Sequence, residues 1–313
     1  MSALSAPYFH DEAAAHAELE ATLWPHGPVC PRCGGKDRIT EVKGKTARMG
    51  LRRCGPCKRQ FTVTVGTVFE SSHVPLNKWL QAVYLLCSSK KGISSHQLMR
   101  TLDVQYKTAW FMTHRIREAM RDGSLLPPMG GAGKVVEADE TFIGRKKGMP
   151  KQRGYAHKHA VLSLVERGGI VRSFHVDGTS AADLLPVIKE NVARETRMMT
   201  DEAGQYTHLR KDFAEHEVVR HGAGEYARGD AHTNTLEGYY SIFKRGMKGV
   251  YQHCSEKHLH RYVAEFDFRY NNRIARGVDD ARRAKTALAG VVGKRLTYKS
   301  PDKTLMTEHG STP

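Results

Sequence analysis

Two Cys-x-x-Cys pairs, Cys30-Pro-Arg-Cys33 and Cys54-Gly-Pro-Cys57, stand twenty residues apart in the first fifth of the chain. They constrain the local fold more tightly than any other feature, because four thiolates must converge on one tetrahedral ion. That requirement dictates two tight turns joined by a short β-ribbon. Alternating stretches at 38–43 and 60–65 supply the ribbon. Four cysteines leave no open coordination position, so Cys30, Cys33, Cys54 and Cys57 are expected to hold one structural Zn²⁺. Cys87 and Cys254 stand alone in segments that read as helical. The pattern therefore suits metal binding in a reducing compartment better than a disulfide framework.

Ahead of the ribbon, residues 8–24 have the spacing of a short amphipathic helix. Behind it, 75–121 turns helical, with Trp79, Val83, Tyr84 and Leu86 on one apolar face. From Ser94 the order is helix, short turn, helix, which is a helix-turn-helix candidate. Its second helix, from about Tyr106, could present Gln105, Lys107, Thr108 and His114 to a DNA groove. Such corners also occur as plain packing units. Lys and Arg number 49 against 33 for Asp and Glu, a formal charge of +16. That excess favours a polyanionic partner over a generally basic soluble enzyme. No 18-residue apolar run and no basic-then-apolar leader occur, so a cytoplasmic protein with no membrane association is expected.

The Pro- and Gly-rich segment 126–133 reads as a linker. Beyond it the pattern gives strands at 135–143, 159–166 and 170–176, a helix at 181–194, and a strand at 197–201. A helix at 205–215 and a strand at 217–221 follow. Three hairpin-joined strands followed by strands separated by helices imply an α/β domain with a mixed sheet. No acid lies between Glu140 and Glu166, whereas Arg145, Lys146 and Lys147 open a strongly basic loop there. A solvated hairpin accounts for these charges; beside a carboxylate cluster they would also clamp phosphates. A helix is expected over 256–276, with Arg261, Arg269, Arg273 and Arg276 partly outward, and the last twenty or so residues look irregular.

Within that domain, the stretch from His232 to Lys244 reads as a helix entered through a cap, with Asn234 or Thr235 as the N-cap. Glu237 falls in its first turn and Lys244 lies nearly two turns on, on the same face. Asp139 and Asp201 each stand at or near a strand end, and thirty-five residues separate Asp201 from Glu237. With this spacing the chain resembles the DDE-type insertion-sequence transposases, whose signature is two aspartates, a glutamate, and a basic residue two helical turns later. The resemblance runs from the zinc knuckles to about residue 290.

The resemblance implies a ribonuclease H-like catalytic domain of mixed α/β class, preceded by a small zinc ribbon and a helix-turn-helix module. It implies two Mg²⁺ (or Mn²⁺) per active site on Asp139, Asp201 and Glu237, with Lys244 on a DNA phosphate and Asn234 the alternative third ligand. The implied partners are the element's terminal repeats, target DNA and further copies of the chain on that DNA. Expected divisions are 1–28 (lead-in helix), 29–70 (ribbon), 71–125 (helix-turn-helix), 126–133 (linker), 134–290 (catalytic) and 291–313 (tail). Two other readings share these residues: a DNA-binding regulator descended from a transposase, and a metal-dependent nuclease without strand transfer.

Overall fold

The computed structural model describes residues 3–121, 126–220 and 231–297. They form two compact units. The first takes the described residues up to Val83, Ser95–Ala119 and those from Ala287 on; the second takes Tyr84–Ser94 and the described residues from Met120 to Thr286.

In the first unit, α1 (Glu12–Leu23) begins after Asp11, whose carboxylate accepts the Ala14 N–H at 2.7 Å. Strands β1 (Ile39–Glu41), β2 (Arg52–Cys54) and β3 (Gln60–Phe61) make the ribbon as an antiparallel meander. The middle strand, β2, lies outside the two stretches read from the sequence. Cys30, Cys54 and Phe61 are buried beneath the ribbon against Trp24. Helix α2 (Leu76–Ser88) starts under the Glu12 carboxylate, which accepts the Leu76 N–H at 2.8 Å and the Asn77 N–H at 3.3 Å. That carboxylate satisfies first-turn donors no intrahelical carbonyl can reach.

The helix-turn-helix follows as α3 (Ser95–Leu102) and α4 (Tyr106–Met120). Asp103 adopts φ 48° at the turn, the left-handed conformation in which helices commonly end. The segment from Ala287 returns to this unit: Val291 accepts the Val68 N–H at 3.2 Å, and Leu296 accepts from Arg115 at 3.2 Å. The expected separate tail thus belongs, over 291–297, to the first unit. Residues 298–313 lie outside the described residues.

The second unit carries a five-stranded sheet of order β6-β5-β4-β7-β8. Strands β4 (Val135–Ile143), β5 (His159–Glu166) and β6 (Val171–Val176) are antiparallel neighbours, whereas β7 (Arg197–Asp201) and β8 (Glu215–Val219) run parallel to β4. This is the mixed sheet expected, consistent with a ribonuclease H-like fold. Side-chain alternation splits it into two faces. Val136, Ala138 and Leu162 pack on α5 (Ala181–Asn191) and on Tyr206 and Leu209 of a 3₁₀ turn, Gly204–Lys211. Ile143, Val161 and Val165 pack on α6 (Asn234–Gly246) and α7 (Glu256–Asn271). Each fully buried Leu or Phe of these layers contributes about 1.5–3 kcal/mol of transfer energy. Gly246 lets α6 approach closely, because a Cβ there would collide with the Phe266 ring and the Lys91 carbonyl.

Several expectations change at this level. The 205–215 helix is a 3₁₀ turn ending at Lys211, and β8 begins two residues earlier than read. Helix α7 ends at Asn271, and its Arg269 is buried in an ion pair with the fully buried Glu265 rather than turned outward. Helix α8 (Asp280–Ala289) follows.

Candidate active site

The parallel pairing of β4 with β7 sets Glu137 beside Met199. The pairing ends there; extended by two residues, the same register would set Asp139 level with Asp201 and facing the same way, and the charge of Asp201 does act on Asp139. Both therefore belong to the α6 face. Glu140 points oppositely, where its carboxylate accepts from Gln205 Nε2 at 2.7 Å and from the Tyr206 hydroxyl. Asp201 accepts the Ala203 N–H at 3.0 Å, fixing the turn that leaves β7.

Asp139 is half-buried, and its carboxyl is pushed up to about 8. Burial is the largest cause, followed by the negative charges of Glu140 and Asp201, with Lys244 pulling the other way. A carboxyl so crowded is poorly neutralised by the protein alone. Lys244 is exposed, with its ammonium 5.6 Å from the centre of the Tyr240 ring. The Tyr240 hydroxyl in turn donates to the Asp139 carbonyl at 2.6 Å, so one side chain both pins α6 to β4 and supports Lys244.

Glu237 is exposed in the first turn of α6, and Asn234, also exposed, is the first helical residue. The N-cap is Thr233, not Asn234 or Thr235. The physical reason is a residue the sequence reading passed over. Glu137, fully buried, accepts the Leu236 N–H at 2.9 Å, the Thr235 hydroxyl at 2.8 Å and Arg167 Nε at 2.8 Å. A carboxylate from β4 thus caps the helix from outside it. The available signal was an acid embedded in the apolar run Val135-Val-Glu-Ala, two residues and one pleat before Asp139. His232 packs with Arg167 and Glu137.

Among the described residues, the carboxylates of Asp139, Asp201 and Glu237 are not gathered into one group within 4.8 Å. Asp139 and Asp201 come from adjacent strands, and Glu237 comes from the first turn of α6. Two ions about 3.5–4 Å apart need a wider arrangement than a single ion does.

Among the residues expected to read DNA, Lys107 is exposed and Thr108 half-buried at the start of α4. His114 is inside the packing, its ring 4.2 Å from that of Trp110. In the basic loop, Arg145 and Lys147 are exposed; Lys146 donates to the Asp177 carbonyl at 3.4 Å.

The four cysteines do converge. Cys30 and Cys57 Sγ lie 3.6 Å apart, as do Cys33 and Cys54, and all four sulfurs fall within 4.8 Å of one another. A tetrahedral ion with ~2.3 Å bonds spaces its sulfurs about 3.8 Å apart, so the cluster fits zinc. Cys54 is pushed up to about 12: a backbone hydrogen bond from Cys57 pulls it down, but burial and the neighbouring thiols override that. A dication relieves this competition. In native protein these four thiols are expected to resist a thiol reagent and to become reactive when a chelator removes one zinc, with loss of the ribbon. Four freely titratable thiols in the untreated protein would contradict the assignment.

Comparison with known proteins gives consistent results. A family profile described as the ISXO2-like transposase domain matches residues 130–271, and one described as a transposase zinc-ribbon domain matches residues 10–60. An uncharacterized protein in transposable element ISH50 of Halobacterium salinarum is 31% identical over 280 residues, covering 83% of this chain and 91% of that protein.

Proposed function

The chain belongs to the ISXO2-like transposase family, and from that premise we propose that it binds the ends of its own element, cuts there, and joins the freed 3′-hydroxyl to target DNA. The observation that carries this reading is the pair Asp139 and Asp201, on adjacent parallel strands under α6, with Lys244 in electrostatic range of Asp139. An all-carboxylate donor set suits a hard cation such as Mg²⁺ or Mn²⁺. Two such ions on Asp139, Asp201 and Glu237 would supply activation of the attacking oxygen and neutralisation of the leaving one.

The chain's own residues do the rest. Asp139, on which the charges of both Asp201 and Lys244 act, would be the carboxylate shared by the two ions. Lys244 holds a DNA phosphate beside the carboxylates as a point charge. Tyr240 keeps α6 at a fixed height over Asp139, and Glu137 holds the helix start, so that Glu237 is presented at a constant angle. Tyr206 and Gln205 retain Glu140 on the far side of the sheet, where it does not compete for the same ligand position. Lys107 and Thr108 contact element ends, and Arg145, Lys146 and Lys147 grip phosphates without regard to sequence. Joining two ends in one event calls for more than one copy of the chain on the DNA.

The test is a joining assay with purified protein, Mg²⁺ and labelled DNA carrying the element's own ends. Nicks at the ends together with joined products are expected. Nicks without joining would reduce the protein to a nuclease, and binding without nicks to a regulator.

A further inference from the structure

A second cluster of ligating side chains lies on the α6/α7 face of the sheet, away from the carboxylates just described. In the β5–β6 pairing, Val161 stands opposite His175. His159, two residues before Val161, shares its face, so the two imidazoles are diagonal cross-strand neighbours. Their ring centres are 5.5 Å apart at 74°. Two imidazoles sharing one tetrahedral ion place their centres about 5 Å apart. Glu256, the first residue of α7, brings a carboxylate oxygen 3.9 Å from His159 Nδ1. One ligand atom from each of the three falls within 4.8 Å of the others. Bonds of ~2.0–2.1 Å would draw these atoms to about 3.4 Å, a closure of roughly an ångström. The Glu256 side chain, 57% exposed, is free to make it.

The independent sign of a ligand is the state of His159. Its side chain is only 3% exposed, and its Nδ1 is buried without a hydrogen-bond partner. The ring also lies against the Arg145 backbone. With the ring proton on Nε2, Nδ1 would be the ligating nitrogen. A neutral ring of this tautomer aims a bare lone pair at the Glu256 carboxylate. The buried nitrogen and a carboxylate oxygen then face each other at 3.9 Å, a juxtaposition of two acceptors that a cation between them relieves.

We infer that His159, His175 and Glu256 form a further metal site of the zinc class, with water in the fourth position. Two imidazoles and one carboxylate suit a borderline ion far better than Mg²⁺. His159 is the residue at which the basic loop re-enters the sheet, and Glu256 opens α7, so the ion ties the foot of that loop to the helix. The effect on DNA binding rests on the function proposed above; metal binding itself does not.

The experiment uses full-length protein saturated with Zn²⁺, freed of loose ion and analysed for metal. About two zinc ions per chain are expected for the wild type, one in the cysteine cluster and one here, against about one for Glu256→Gln and for His175→Gln. Co²⁺ entering this site should give visible ligand-field bands without thiolate charge transfer, lost in both variants. Glu256 is at the surface, so its amide variant keeps the fold. One zinc per chain in the wild type, or two retained in both variants, overturns the inference. Failure of the joining assay leaves this result untouched, and the reverse holds as well.

Discussion

Asp139→Asn protein is expected to lose end cleavage by about 10³-fold or more and, with no Mg²⁺ added, to be more stable than the wild type. The first effect follows from the several kcal/mol that metal-assisted charge neutralisation contributes to such reactions, each 1.4 kcal/mol being tenfold in rate. The second follows from linkage. Burial, with Glu140 and Asp201, raises the folded-state value of Asp139 to about 8. The unfolded chain releases that proton near the ordinary value of ~3.9. Between these values the folded state binds the extra proton, so the stabilising contribution is complete below about pH 4 and is lost as pH rises through about 8. Asparagine removes this dependence. Urea unfolding should therefore show the variant ahead by roughly 1–3 kcal/mol at pH 8, and the margin should shrink towards pH 5. A variant that cuts at the wild-type rate removes Asp139 from the chemistry, and one less stable at pH 8 contradicts the crowding of the carboxylates. Opposite signs for activity and stability are what a site built to receive cations should give.

The features legible in the sequence were those fixed by local rules. The paired cysteines announced their cluster because ligand spacing is short-range. The 135–143 and 159–166 strands were read to the residue, because apolar alternation there is bounded by turn chemistry. The same alternation puts Asp139 and Glu140 on opposite faces of β4. What escaped depends on which elements meet. Glu137 obeyed the pleat as faithfully as Asp139, but nothing local says that α6 begins above it. His114 and Arg269 carry polar side chains at helical positions whose exposure is set by neighbouring elements, and both proved buried. The return of 287–297 to the first unit is a long-range pairing, visible as the isolated bridge between Thr67 and Val292 but not as any pattern within either segment.

The third carboxylate position is decided by comparing Glu237→Gln with Asn234→Ala. The two residues are three apart on α6 and so share a side of the helix. Both are exposed, and the Leu236 N–H and Thr235 hydroxyl at the helix start are accepted by Glu137, which neither substitution touches. Loss of the cap therefore does not confuse the result in either variant. A glutamine at 237 keeps length, shape and helix propensity while removing one negative charge, and a hard divalent ion is held by charge as well as by oxygen lone pairs. The expected outcome is loss of cleavage by about 10²–10³-fold, with binding to element ends unchanged. An alanine at 234 removes at most a neutral orienting group, for which a reduction of about 10–100-fold is the usual scale. The spacing of thirty-five residues from Asp201, and the position of Lys244 nearly two turns on, both count from Glu237. If Glu237→Gln cuts and joins at near wild-type rate while Asn234→Ala is inert, the ligand is Asn234, and the cations are held by two carboxylates and an amide.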